Sequence, residues 1–382
     1  MTIGLGFIGC GIIGSVHAEA AARADVQCVA CFDMDAAKSQ QFADAQTCQP
    51  CDSLDALLSH KDVQAVVIAT PNDTHCELAG RALNAGKDIL LEKPMALSVA
   101  QCHDIITAAE ANNRIVQLSF VCRQSPTALL ARSFIEAGRL GRIYHCRASL
   151  FRRRGIPGLG RWFTTKQHSG GGVLIDIGVH LIDLLLHLTS SHTPRRIAGQ
   201  TASLFGSPID QYRYTEMWAG PPNLDGVFDV DDHATATVRC DGDLTLDIAV
   251  TWASNIPQQA INEGIIILGD RGGLFLHLWD GRITLTTESD GVLGDFTPDA
   301  SPGSAWDLAW TRQHELFAQA VANRTAPPAG AMDGLIAQSV VEAWYESAQQ
   351  QREFEIVIPQ LNSQRMKNGP GEVPSPSVAA SE

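Results

Sequence analysis

A glycine-rich turn near the N-terminus constrains the fold more than any other feature of the chain. The segment Gly9-Cys10-Gly11-Ile12-Ile13-Gly14 follows an apolar run at residues 3–8 and opens a stretch with helical periodicity. In a strand–turn–helix unit, Gly9 permits the tight turn, Gly11 admits a pyrophosphate close to the backbone, and Gly14 lets the helix approach the strand. The helix N-terminus adds free N–H groups and a positive dipole end. The turn predicts a dinucleotide site at Gly9, Gly11, Ile12, Ile13 and Gly14, against the alternative of a glycine-rich turn without a ligand.

The segment that follows this turn alternates short apolar runs with amphipathic helical stretches. We predict strands at residues 3–8, 27–32, 65–69, 89–91 and 115–120, and helices at 11–23, 36–43, 54–59, 76–85 and 98–112. Alternation of this kind is typical of βαβ units that build a parallel sheet. The sequence therefore predicts an α/β chain that begins with a Rossmann dinucleotide-binding domain at residues 1–122.

The pattern changes after residue 122. Strand-like runs recur at residues 142–151, 235–239, 244–252, 264–268, 273–278 and 282–286, and helices are predicted at 127–137, 172–188, 306–322 and 332–350. Strands that follow one another between flanking helices favour an α+β domain with a largely antiparallel open sheet, here at residues 123–360. Residues 361–382 are rich in Pro, Ser, Gly and Asn, which predicts a disordered tail.

Composition narrows the range of partners and compartments. The formal net charge is −14, which disfavours nucleic acid and anionic membrane surfaces as partners. Hydrophobic residues make up 45% and charged residues 18%, as in globular proteins. We find no apolar run long enough to cross a bilayer and no signal peptide before the first strand, so we expect a cytoplasmic protein.

The ten cysteines raise the question of a metal site. The pairs Cys28-x-x-Cys31 and Cys48-x-x-Cys51 have the spacing of a zinc ribbon. However, Cys28 and Cys31 lie in a predicted strand, where side chains three residues apart point to opposite faces, and no glycine knuckle accompanies them. We therefore expect reduced, buried thiols and no metal.

Polar residues at the ends of two later strands extend the predicted cofactor site. Asp33 ends the second strand about twenty residues after Gly14, where a carboxylate binds ribose hydroxyls and repels a 2′-phosphate. Because no arginine neighbours Asp33, we predict NAD in preference to NADP. Asp35 suits the N-cap of the next helix better than Asp33 does. The segment Ala69-Thr70-Pro71-Asn72 lies just past another strand, on the edge of the sheet where ligands bind.

Glu92-Lys93-Pro94 ends the strand that follows, at the same edge of the sheet. A lysine there supplies a cation that polarises a substrate oxygen, and the proline restricts Lys93 to an extended backbone. Taken alone, the Glu–Lys pair is more typical of a surface salt bridge.

An apolar helix in the second domain carries three polar residues on one face. Asp176, His180 and Asp183 follow Gly170-Gly171-Gly172 at helical spacing. The ordinary pKa of a histidine lets His180 take a proton from an alcohol near neutral pH, while Asp176 orients it or binds a substrate hydroxyl. Asp183, one turn further along, suits a structural role. A core helix with an internal Asp–His pair is the alternative for this segment.

In combination, these motifs resemble the glucose–fructose oxidoreductase / inositol dehydrogenase / rhizopine-catabolism family. The motifs are the glycine turn, Ala69-Thr70-Pro71-Asn72 with His75, Glu92-Lys93-Pro94, and Gly170-Gly171-Gly172 leading to Asp176 and His180. The resemblance implies NAD(P)-linked oxidation of a secondary hydroxyl of a sugar, glycoside or cyclitol, with Lys93, Asp176 and His180 as the catalytic set and His180 as the base. It also implies cofactor contacts from Ala69, Thr70, Pro71, Asn72, His75, Glu92 and Lys93. A homodimer or homotetramer formed through the second sheet is a further implication.

Substrate contacts are expected from Arg123, Arg154, Trp162, Asp176 and His180. The arginines at 152–154 suggest a phosphate or carboxylate on the substrate, with a solvated or interface patch as the alternative, and Trp162 suits either stacking on a sugar ring or plain packing. The polar and aromatic segment at residues 206–229 suits an insertion near the site or an interface. These features do not name the sugar.

Three alternative functions remain open on this fold. The chain is a keto-sugar reductase if the reaction runs in the opposite direction. It is an NAD-dependent glycosidase if the cofactor is recycled, although such relatives carry a different segment where this chain has Asp176 to His180. It is a non-catalytic NAD-binding regulator if Lys93 and His180 have no chemical role.

Overall fold

The computed structural model describes residues 3–189, 192–213, 219–260, 263–278, 280–298 and 305–360. The predicted tail at 361–382 and residues 214–218 of the polar segment lie outside the described residues. The other predicted elements fall within them.

The first sheet is parallel and six-stranded, which confirms the predicted Rossmann domain. Its strands are β1 (Gly4–Ile8), β2 (Gln27–Phe32), β3 (Gln49–Pro50), β4 (Ala65–Ile68), β5 (Asp88–Leu91) and β6 (Val116–Leu118). The helices between them are α1 (Ile12–Arg23), α2 (Ala36–Gln46), α3 (Leu54–Ser59), α4 (His75–Asn84) and α5 (Val99–Ala111). The strand order β3-β2-β1-β4-β5-β6 reverses between β1 and β4. Ligands of such sheets bind at this reversal, and the glycine turn follows β1 there.

The second sheet has nine strands, and all its neighbouring pairs are antiparallel except β7 with β10. The strands are β7 (Ile143–Phe151), β8 (Pro194–Ala202), β9 (His233–Cys240), β10 (Thr245–Thr251), β11 (Gly264–Gly269), β12 (Gly272–His277), β13 (Ile283–Ser289), β14 (Val292–Phe296) and β15 (Phe354–Glu355). The helices are α6 (Pro126–Glu136), α7 (Lys166–Ser169), α8 (Val179–Leu188), α9 (Ala305–Asn323) and α10 (Ala331–Gln350). The predicted largely antiparallel sheet is confirmed.

Helix α9 returns to the first sheet, which the sequence analysis did not anticipate. Phe317 and Val321 are buried in the same apolar cluster as Phe7 of β1. On the surface, Arg23 of α1 donates to Thr311 at 3.0 Å. Helix α9, which lies between β14 and β15 in sequence, therefore completes the core of the first domain, and residues 123–360 are not independent of residues 1–122.

Side chains were expected to alternate strictly along β2, which would point Cys28 and Cys31 to opposite faces of the sheet. This expectation is wrong because β2 contains one extra residue between the two cysteines. Cys28 pairs with Leu5 of β1 and Ala30 with Gly6, so Val29 is an extra residue in the register. Such a bulge breaks the alternation of side chains. Cys31 accordingly lies in the same apolar cluster against which Cys28 and Cys48 pack. Within the ranges that the structure describes, no group of three or more His, Cys, Asp or Glu side chains is arranged to hold a metal ion.

The stretch from Lys166 to Leu188 corrects the expectation that no segment is long and apolar enough to cross a membrane. It passes that test by length and composition alone. Within the most apolar window of this stretch, 78% is buried inside the protein, as is usual for the core helix of a folded domain.

Candidate active site

The glycine turn packs against the end of β4. Gly9 has φ +95°, and a Cβ added there would collide with the carbonyl oxygen of Ala69 and lie 2.9 Å from Thr70 Cγ2. A Cβ on Gly14 would collide with the Gly9 carbonyl oxygen. By contrast, a Cβ on Gly11 would meet no atom within 4 Å. Gly9 and Gly14 thus serve close packing, and Gly11 borders open space.

The first turn of α1 has backbone donors but no side-chain cap. Its N-cap, Gly11, makes no side-chain hydrogen bond, and no acidic residue lies in the first turn. Ile12 is 53% exposed and Ile13 is half-buried. The free N–H groups and the space above Gly11 fit the pyrophosphate of a dinucleotide.

Asp33 is held beside this turn by two backbone amides. Its Oδ2 accepts a hydrogen bond from Cys10 N at 2.8 Å, and its Oδ1 accepts one from Asp35 N at 2.9 Å. Asp35 caps α2 by accepting from Ala37 N and Lys38 N, which confirms the role expected of it. Asp33 therefore keeps a fixed position at the β2 end of the turn, where a ribose would lie.

The loop after β4 connects the two domains. The Asn72 side chain is buried and donates to the Ser169 carbonyl at 2.8 Å. His75 is fully buried, and its ring nitrogens lie 2.8 Å from the Pro94 oxygen and 3.0 Å from the Thr70 oxygen. These contacts let His75 hold this loop beside Lys93-Pro94, and its expected contact with the cofactor stays a prediction. Ala69, Thr70 and Pro71 are half-buried.

Lys93 and Asp176 are brought together across the domain boundary. The Lys93 ammonium lies 3.0 Å from Asp176 Oδ1 and donates to the Asp176 carbonyl oxygen at 2.9 Å. The other carboxylate oxygen, Oδ2, accepts from Trp252 Nε1 at 2.9 Å. Trp252 is fully buried just after β10. Asp176 is thus oriented by Lys93 and Trp252, and its contact is not with His180.

His180 lies close to this pair on the same helical stretch. Residues Leu174–Gly178 form a π-helical turn that precedes α8, so Asp176 and His180 are not related by the regular α-helical spacing assumed from the sequence. Such turns are frequent at functional sites. Within the part of the chain that the structure describes, the buried Nδ1 of His180 has no hydrogen-bond partner.

The pKa of His180 differs from the sequence-based expectation. Burial, followed by the positive charge of Lys93, lowers the pKa of His180 from 6.5 to about 3. The imidazole is therefore neutral at physiological pH and able to accept a proton. Burial acts to raise the pKa of Asp176, but the charges of Lys93 and then Arg152 lower it overall, so Asp176 stays ionised.

Glu92 supports Lys93 from behind and is not exposed to the cleft. Its Oε1 lies 2.9 Å from His17 Nε2, and its Oε2 accepts from the backbone N of Lys93 at 3.1 Å. Burial would raise the pKa of Glu92, but His17 and Lys93 together lower it to about 2. His17 belongs to α1, so Glu92 links the cofactor helix to Lys93. The side chain of Glu92 thus has a positioning role, and the expected cofactor contact of Glu92 stays a prediction.

Arg123 lies away from these residues. Its guanidinium donates to both oxygens of Asp183, with Nε to Oδ2 at 2.8 Å, and it lies 3.0 Å from Asp333. Arg123 and Asp183 are both buried. Since its hydrogen bonds are used within the protein, we do not retain Arg123 as a substrate ligand, and Asp183 has the structural role expected of it.

The arginines at 152–154 have separate environments. The Arg154 guanidinium donates to the Ser254 carbonyl at 2.8 Å and to Asn255 Oδ1 at 2.7 Å, and it stacks over the Phe205 ring. Arg154 is therefore a poor candidate for the substrate contact expected of it. The arginine that faces the catalytic residues is Arg152, which sequence reasoning did not separate from its neighbours.

The aromatic residue Trp162 and the segment that follows β8 border the same loop. Trp162 is half-buried and stacks on Phe163, with ring centroids 3.9 Å apart. Tyr212 is buried, and its hydroxyl accepts from Ile156 N at 3.3 Å. The described part of segment 206–229 thus packs on the loop after β7, and stacking of Trp162 on a sugar stays a prediction.

The fold and the site together define a dinucleotide-dependent oxidoreductase. A family model described as an oxidoreductase family with an NAD-binding Rossmann fold matches residues 3–120, and the GFO/IDH/MocA C-terminal domain matches residues 128–275. The chain belongs to this GFO/IDH/MocA family, and its N-terminal domain is an NAD-binding Rossmann domain. The resemblance drawn from the motifs is confirmed.

Two relatives and one solved structure show how far the similarity extends. The chain is 27% identical to D-glucoside 3-dehydrogenase of Escherichia coli over 90% of this chain and 94% of that protein. It is 31% identical to a putative UDP-kanosamine synthase oxidoreductase subunit of Amycolatopsis mediterranei, over 61% of this chain and 63% of that protein. Levoglucosan dehydrogenase in complex with NADH superimposes with a TM-score of 0.82 at 20% identity, covering 94% of this chain and 100% of that one. This last likeness shows the shared fold.

Proposed function

We propose that the protein oxidises a secondary hydroxyl of a sugar, glycoside or cyclitol with NAD as the hydride acceptor, with Lys93, Asp176 and His180 as its catalytic residues. The observation that carries the proposal is the 3.0 Å contact of Lys93 with Asp176 beside a neutral, half-buried His180. The relatives named D-glucoside 3-dehydrogenase and inositol 2-dehydrogenase support the substrate class.

Lys93 and His180 have different roles in the proposed reaction. An ammonium has three donors, and Lys93 uses two of them on Asp176, which leaves one for the oxygen of the reacting hydroxyl. That contact polarises the hydroxyl and stabilises negative charge on its oxygen. We assign the proton acceptor to His180 Nε2, because the other ring nitrogen, Nδ1, is buried. NAD held at the glycine turn beside Asp33 would supply the acceptor for the hydride of the carbinol carbon.

A substrate screen tests the proposal. The purified protein is incubated with NAD and a panel of hexoses, glycosides and cyclitols, and the absorbance of the reduced cofactor is followed. We expect reduction with at least one polyol. If the protein binds NADH but no member of the panel reduces NAD, the proposed function is contradicted.

The cofactor preference is expected to depend on the charge of Asp33. The substitution Asp33→Asn keeps the side-chain shape and an acceptor but removes the charge that repels a 2′-phosphate. We expect the ratio of kcat/KM for NAD over NADP to fall by about tenfold or more, which corresponds to ~1.4 kcal/mol. Asp35→Asn, which alters only the cap of α2, serves as the matched control. An unchanged ratio in Asp33→Asn would remove Asp33 from this role.

The acid limb of the pH profile is expected to lie far below pH 6.5. The pKa of His180 is about 3, so the base is already deprotonated across the neutral and mildly acidic range. Because kcat/KM reports the ionisations of the free enzyme, it should change by no more than about twofold between pH 7.5 and 5.5. Circular dichroism at each pH controls for unfolding. An ionisation near pH 6.5 that limits kcat/KM would contradict the neutral state of His180.

A further inference from the structure

Among the described residues of the turn that follows β7, one arginine makes no hydrogen bond through its guanidinium. Arg153 is exposed and reaches Gln258 at 3.3 Å, and Arg154 is held by Ser254 and Asn255. Arg152 is half-buried, yet within the described ranges no group accepts a hydrogen bond from its guanidinium. A guanidinium has five donors in a planar fork, so Arg152 has its full binding capacity unused.

The backbone fixes Arg152 close to the catalytic residues. Arg152 N donates to the Thr251 carbonyl at 3.0 Å, and Gly155 N donates to the Trp252 carbonyl at 2.8 Å. The turn from Arg152 to Gly155 therefore wraps around Trp252, whose indole holds Asp176. The Arg152 side chain is confined by Gly155, where an added Cβ would lie 2.8 Å from its Cδ.

The charge of Arg152 acts at the catalytic residues. After larger contributions from burial and Lys93, it lowers the pKa of both Asp176 and His180. Neither carboxylate of the site neutralises it, because Asp176 is bound to Lys93 and Trp252, while Glu92 is bound to His17 and to the backbone of Lys93. Among the described residues the Arg152 guanidinium makes no salt bridge, and an anionic ligand would supply one.

We propose that Arg152 binds an anionic group of the substrate, so that the preferred substrate is a polyol that carries a phosphate or a carboxylate. This inference rests on the proposed function and specifies the substrate class of the same site. Charge-assisted, bidentate hydrogen bonds of a guanidinium to either group are short and strong. The strongly acidic chain would repel such a substrate at long range. A cation near the reacting hydroxyl would offset this repulsion locally.

The test compares matched neutral and anionic sugars. We would measure kcat/KM with NAD for a hexose, its 6-phosphate, its uronate and its nucleoside diphosphate ester, in the wild type and in Arg152→Gln, Arg152→Lys and Arg153→Gln. Arg153→Gln is the matched control because Arg153 lies in the same turn but is exposed. The ratio of kcat/KM for an anionic sugar over the neutral hexose isolates the anionic group, because changes at Lys93, Asp176 or His180 affect both members of the pair.

We expect the wild type to prefer one anionic sugar. Comparison of the 6-phosphate, the uronate and the nucleoside diphosphate ester shows which anionic group is preferred. Arg152→Gln should lower that ratio by about 10- to 100-fold, the usual loss for a hydrogen bond between charged groups. Arg152→Lys should retain part of it, and Arg153→Gln should match the wild type. The inference is overturned if neutral sugars are oxidised and anionic ones are not, if Arg152→Gln leaves the ratio unchanged, or if Arg152→Gln instead weakens NADH binding. If NADH binds but neither these sugars nor any glycoside or cyclitol of the wider panel is oxidised, the proposed function itself fails.

Discussion

Replacing Lys93 by Met or His180 by Ala is expected to abolish polyol oxidation while NADH still binds. Loss of a general base lowers turnover by about 10²- to 10⁴-fold, and loss of a cation at the developing oxyanion lowers it by about 10²- to 10³-fold. Lys93→Met also leaves Asp176 without its closest counterion, 3.0 Å away, so that two catalytic groups are disturbed at once. Steady-state kcat and the Kd for NADH, measured on the same preparation, separate chemistry from cofactor binding.

Two further substitutions control for damage to the fold. His187 lies on α8 with His180 but is outside the catalytic set, and Lys61 is exposed. His187→Ala and Lys61→Met should therefore keep normal turnover. If Lys93→Met or His180→Ala retained more than about a tenth of wild-type turnover, the residue concerned would not be catalytic.

The glycine turn provides the second large effect, because substitutions at Gly14 and Gly11 should act in different ways. An added Cβ at Gly14 collides with the Gly9 carbonyl, so Gly14→Ala should destabilise the protein by about 1–3 kcal/mol as well as weaken NADH binding. An added Cβ at Gly11 meets nothing within 4 Å, so Gly11→Ala should keep the thermal stability of the wild type. That Cβ nevertheless occupies the space where the pyrophosphate approaches the backbone, and the Kd for NADH should rise by about tenfold or more.

Thermal unfolding and NADH titration measure both effects. Gly80, inside α4, also has no atom within 4 Å of an added Cβ, so Gly80→Ala is the matched control and should bind NADH normally. Gly11→Ala with unchanged NADH affinity would show that the cofactor does not approach the backbone at this turn.

Local patterns were sufficient to predict the first domain. The buried strands of the parallel sheet are apolar on both faces, and the glycine spacing follows from the close approaches at Gly9 and Gly14. Asp35 was also predictable as the cap of α2, because a cap depends only on neighbouring residues.

Features that depend on contacts distant in sequence were not predictable. The bulge at Val29 arises from the pairing of β2 with β1, and it invalidated a face assignment based on strict alternation. The hydrogen bonds of His75 and Glu92 to Pro94 and His17 depend on other elements, so a motif position at the sheet edge did not reveal their positioning roles. Likewise, only the positions of Ser254, Asn255 and Trp252 distinguish Arg154 from Arg152. A helical spacing suggested that Asp176 and His180 share a face, but their partners became clear only from the tertiary structure.

The most direct test of the catalytic account is to follow the hydrogen that leaves the substrate carbon. A polyol found active in the screen is prepared with deuterium at the carbon that bears the reacting hydroxyl, and the reduced cofactor is analysed by mass spectrometry. The account predicts that wild-type protein forms reduced NAD carrying one deuterium per oxidised substrate, and that His180→Ala forms none above background. Reduced NAD without deuterium, or undiminished transfer by His180→Ala, would contradict direct hydride transfer at a site built on Lys93, Asp176 and His180.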